Sequence, residues 1–215
     1  WTKVVSEVKH LQQNNSSVFT VIRGGLSENA ESSEKIFISS YVTDTRLMGV
    51  IGVYIHWKLP ENTTQTDLHQ FFYFDAEEFG FDTYKGLLTG PEGEGLEEFK
   101  NVENSLLGGL GGKQVHLTEQ EARYLVQEYT ALNLRMGLEL PEGYEEYSFL
   151  LNPTIELEST EKYVLMSKQC PILSSPYQVI NYFLMRCFGK DFGAAKFLTK
   201  NYVRTNLFPE HKAAT

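Results

Sequence analysis

Between Met48 and Leu59, apolar and polar positions alternate: Ile51, Val53, Ile55, Trp57 and Leu59 fall on one side, Tyr54, His56 and Lys58 on the other. That two-residue period predicts a half-buried strand. Lys35–Thr43, with Ile36, Phe37, Ile38, Tyr41 and Val42, predicts another, and the β-branched stretch Val18–Arg23 a short one. His69–Asp75 contains Phe71, Phe72, Tyr73 and Phe74, apolar on both faces, and predicts a central strand. The connections are short or carry turn residues, Asp44-Thr45-Arg46 and Pro60 to Asp67. Connections of that kind favour an antiparallel meander.

The second half changes period. Thr118 with Glu121 three residues on is a capping box. Ala122, Leu125, Val126, Tyr129, Leu132 and Met136 then recur at helical spacing up to a stop at Gly137. Ser175-Pro176 opens a second helix, apolar nearly all round, that ends at Gly189. Asp191 caps a last one through Ala194, Ala195, Phe197 and Leu198 towards Tyr202. Residues 2–13 predict a short N-terminal helix, and Lys162–Ser167 reads as a strand. The glycine-rich, acidic stretch 76–113 reads as loops, with one short helix near Leu96–Lys100 and a turn at Gly108–Gly112. Glu139–Glu161 reads as irregular. Strands first and helices afterwards define an α+β fold, an antiparallel meander from the N-terminal half packed with helices from the C-terminal half. The expectation is one domain over 1–215, with a β-rich part at 1–90 and a helical part at 115–215. The helical part has too few apolar faces to close a core alone. The start at Trp1 suggests a piece of a larger protein.

With 215 residues, 41% of them hydrophobic, the chain can bury a core without disulfides or metals. Its net charge of -9 argues against a domain built to neutralise phosphates or to coat anionic membranes. No apolar run approaches the ~18 residues of a membrane span. Two cysteines, Cys170 and Cys187, make no disulfide framework, and the sequons at Asn14, Asn15 and Asn62 carry little weight without a secretion signal. A cytoplasmic location is the expectation.

Candidate chemistry is sparse. Gly108-Gly109-Leu110-Gly111-Gly112-Lys113-Gln114 fails the phosphate-loop pattern in its spacing and in Gln114, where a hydroxyl is needed for magnesium. It leaves only glycines and Lys113 ahead of a helix N-terminus, where anions can bind. Asp67 and His69 lie two apart on one strand face, with His56 on the neighbouring strand. His56, Asp67, His69 and Asp75 could therefore meet at one sheet face or end, as ligands of zinc or iron or as a general base. Their spacing is not diagnostic, so no tightly bound transition metal and no cofactor are expected. Cys170 precedes Pro171 in a loop and is expected to pack rather than to react. Lys196, Lys200 and Arg204 repeat every four residues, one stripe on a helix, in a segment with few carboxylates. The leading expectation is a non-catalytic binding or regulatory domain that contacts another protein or domain. The alternatives are an enzyme using His56, Asp67 and His69, and an anion or nucleic-acid binder using the C-terminal stripe.

Overall fold

The computed structural model describes residues 35–59, 66–90, 93, 95–171 and 191–205, with the backbone alone over 199–205. All of these described residues fall in one compact unit. The predicted helix at 2–13, the strand Val18–Arg23, the helix opened by Ser175-Pro176, Cys187 and the three sequons lie outside the described residues.

Strands β1 (Ile36–Thr43), β2 (Val50–Leu59), β3 (Thr66–Asp75) and β4 (Gly80–Thr89) follow one another along the chain. Helix α1 (Leu96–Leu106), the short strand β5 (Gln114–His116) and helix α2 (Glu119–Met136) come next. Then come α3 (Tyr144–Tyr147), α4 (Ser159–Gln169) and α5 (Phe192–Thr205). The sheet among these residues has five strands in the order β4-β3-β2-β1-β5, every pair antiparallel. This is the predicted α+β meander, one strand longer at each edge than the sequence indicated.

The alternation in β2 sorts its side chains as predicted. Ile51, Val53, Ile55, Trp57 and Leu59 face the main core with Phe72 and Phe74 of β3. Ala122, Leu125, Val126 and Tyr129 of α2, then Tyr147, Leu150, Leu157 and Leu165, close that core from the helical side. Phe74 stacks on Tyr129 with centroids 4.5 Å apart, so strands and helices share one apolar core. The opposite face buries Tyr41, Tyr54 and Phe71 under Leu107 and the apolar side of α1, where Phe99, Val102 and Leu106 lie. Both faces of β3 are therefore covered, as its apolar run implied. Gly52 sits where Leu107 crosses the sheet, and a methyl group there would run into that leucine.

Helix α2 begins at the predicted cap. Thr118 Oγ1 accepts from the Glu121 N–H at 3.2 Å, and the Thr118 N–H donates to Glu121 Oε2 at 2.8 Å. Gly137 ends it in the left-handed conformation, φ 68°. Asp191 Oδ1 accepts from the Ala194 N–H at 3.1 Å at the start of α5.

Three readings of the sequence need correction. Strand β4 runs through the stretch read as loop. A register shift in the β3–β4 pairing lets Phe74 face Phe81 and Phe72 face Tyr84, which skips Asp82 and breaks the two-residue period. Lys162–Ser167 is not a strand but part of α4. The Glu158 N–H donates to Glu161 Oε2 at 2.7 Å at its start, and the buried residues Leu165 and Gln169 are one helical turn apart. The turn at Gly108–Leu110 leads into β5 rather than a helix, and the Lys113 N–H donates to Asp44 Oδ1 at 2.7 Å. The glycines and Lys113 therefore do not lead directly into a helix N-terminus.

Candidate functional site

The hairpin β2–β3 pairs Leu59 with Thr66 and, in the same register, His56 with His69. Directly opposed side chains of an antiparallel pair lie on one face, and the two imidazoles stack with centroids 4.5 Å apart. Asp67, two residues before His69, shares that face. His56, Asp67 and His69 bring one ligand atom each to within 4.8 Å of one another. Asp75 does not join them. It lies six residues further along β3, about 20 Å away, and accepts from the Glu77 and Glu78 N–H groups in the β3–β4 turn.

Each member has a different setting. His69 is buried. Its Nδ1 lies 2.7 Å from Tyr54 Oη and its Nε2 2.8 Å from Thr89 Oγ1. The Phe99 ring meets it edge-on at 4.8 Å. Burial, and after it the neighbouring His56, lower its pKa to about 4, against a smaller pull from Asp67. It is neutral at neutral pH, with one nitrogen carrying a proton and the other a lone pair. Tyr54 is pushed above the ordinary phenol value, by burial first and then by Glu103 and Asp67. His56 Nε2 lies 3.1 Å from Asp67 Oδ2. The direction is wrong for a hydrogen bond, and this buried nitrogen has no hydrogen-bond partner.

The second candidate is α5. Arg46, in the turn before β2, is buried and donates through Nε and Nη2 to Asp191 at 2.7 and 3.2 Å. Its Nη1 donates to Gln169 Oε1 at 2.7 Å. The guanidinium thus ties the first residue ahead of α5 to the body of the fold. Ala194 and Leu198 pack inward. Phe192 is 81% exposed and Lys196 is exposed, four residues apart on the other side. Lys200 and Arg204 continue that spacing along the helical backbone, and their side chains lie outside the described residues.

Cys170 is buried, and burial, ahead of all other influences, pushes its thiol up to about 12. At neutral pH it stays a protonated packing residue. Sequence reasoning missed Tyr54 and Thr89 as partners of His69, the Arg46–Asp191 pair, and Phe192 at the head of the basic stripe. The last was legible, since Phe192 precedes Lys196 by the same four residues.

Compared with known proteins, the chain matches no family model, no curated protein and no solved structure. Among the described residues no helix is long and apolar enough to cross a membrane.

Proposed function

We propose that this chain is a non-catalytic binding or regulatory domain that docks an acidic protein surface through α5. The observation that carries the reading is the mounting of the helix. A buried ion pair fixes its start, Ala194 and Leu198 seat it, and Phe192 and Lys196 face outward. Lys200 and Arg204 lie at the positions that extend this side. A cationic stripe headed by an aromatic ring suits a partner with carboxylates around an apolar spot. Local fields govern encounter, so a net charge of -9 does not oppose it. The same charge disfavours nucleic acid, and the encounter is taken to be cytoplasmic, since two cysteines in 215 residues make no disulfide framework.

The test reverses Lys196, Lys200 and Arg204 to Glu together. Exposed charges contribute little to stability, so folding should change by less than about 1 kcal/mol. Pull-down with wild-type and reversed protein side by side should recover a protein partner that only the wild type holds and that salt releases. Identical partner lists with no salt-sensitive member refute the reading. Salt-sensitive capture of nucleic acid alone replaces it with the nucleic-acid alternative. The enzyme alternative draws on a different observation, the meeting of His56, Asp67 and His69.

A further inference from the structure

Among the described residues, His56 Nε2 is a buried polar atom without a hydrogen bond, although a carboxylate oxygen stands 3.1 Å away. An N–H aimed at that oxygen would have satisfied both. Two ligands of one tetrahedral zinc ion, each bonded at 2.0–2.1 Å, lie about 3.3 Å apart without facing each other. The His56–Asp67 pair has that spacing and that misalignment. His69 stacks on His56 and adds a second imidazole to the cluster.

We propose that His56, Asp67 and His69 form a binding site for one divalent d-block ion of the zinc class. Two imidazoles and one carboxylate suit zinc, iron or cobalt, whereas magnesium and calcium take oxygen ligands. The surroundings assign the atoms. Tyr54 Oη, 2.7 Å from His69 Nδ1, accepts the ring proton when it sits there, which leaves Nε2 to the ion. A partner on the far nitrogen that fixes the tautomer is the usual support of a histidine ligand. Thr89 Oγ1, now 2.8 Å from Nε2, is the group the ion displaces. Phe99 and the Tyr54 ring hold the imidazole from turning away. The site lies on the hairpin β2–β3 and uses no residue of α5, so it stands or falls independently of docking.

The experiment titrates zinc(II) into chelator-treated full chain by calorimetry, and in parallel follows histidine ring nitrogens by NMR. The expected result is one zinc per chain, with the ring nitrogens of His56 and His69 both shifting. His56→Ala and His69→Gln should each weaken binding by more than the 10- to 100-fold that loss of a supporting partner causes. His116→Ala, at an exposed histidine outside the cluster, should bind as the wild type does. Absence of saturable binding overturns the proposal. So does zinc that both variants retain, or zinc that binds the wild type without moving the His56 and His69 signals. The NMR readout needs no substitution, so a variant that fails to fold does not remove the test.

Discussion

Removing the carboxylate of Asp191 should loosen α5, because three interactions converge on it. It accepts from Arg46 Nε at 2.7 Å and Arg46 Nη2 at 3.2 Å, and it caps the helix through the Ala194 N–H at 3.1 Å. Both side chains of the pair are under one-tenth exposed. Asp191→Ala leaves a guanidinium buried with Gln169 as its remaining hydrogen-bond acceptor. Breaking a buried pair by removing one partner costs about 3–5 kcal/mol, and losing a cap about 1 kcal/mol more. The expected total is about 4–6 kcal/mol. Arg46→Met should cost about 3–5 kcal/mol by stranding the carboxylate. In the double variant neither charge is stranded, so it should be more stable than the sum of the singles implies, by about 2 kcal/mol or more. Urea denaturation of all four proteins measures this directly. Strict additivity, or an Asp191→Ala loss below about 1 kcal/mol, would refute the reasoning that this pair mounts the helix.

Trp57→Ala and Phe72→Ala should each destabilise by about 3–5 kcal/mol in chemical denaturation, since both side chains lie in the closed core; losses below about 1 kcal/mol for both would misplace that core. His69 supplies a pH test in metal-free protein. Its pKa falls from an ordinary 6.5 to about 4 on folding, so the unfolded chain takes up a proton first as pH drops. Stability should be lost progressively between about pH 6.5 and 4, by up to about 3 kcal/mol at 1.36 kcal/mol per unit. His69→Gln should flatten that slope relative to wild type, and parallel curves would contradict the assignment. Thr89→Val removes the hydroxyl that holds His69 Nε2. A hydrogen bond worth about 0.5–1.5 kcal/mol no longer competes with the ion, so zinc affinity should rise about 2- to 10-fold, and weaker binding by this variant would count against displacement.

Much of this fold could be read where one residue pattern met one partner surface. The alternation in β2 survives because β2 is paired regularly with β3 along its length. In β4 the skipped Asp82 puts Phe81 and Tyr84, three apart, against the same core, so the pattern resembled neither strand nor helix. Tyr163, Val164, Leu165 and Met166 looked like a strand because their apolar character is contiguous, whereas only the Leu165 side of α4 is fully buried. The histidine cluster was half legible. Both strands were predicted, yet no linear spacing marks a cross-strand pair, and the register that opposes His56 to His69 depends on where the connection between Leu59 and Thr66 turns. Asp191 was legible as a helix cap, but its pairing with Arg46 carried no signal, since 145 residues separate the two.

Amide hydrogen exchange tests the central claim, that the chain acts through α5, most directly. The chain is compared free and bound to the protein partner recovered by the wild type. Protection should concentrate in Phe192–Thr205 and disappear when salt is raised or when Lys196, Lys200 and Arg204 are reversed. Protection on the sheet, with the exchange of Phe192–Thr205 unchanged on binding, would contradict it.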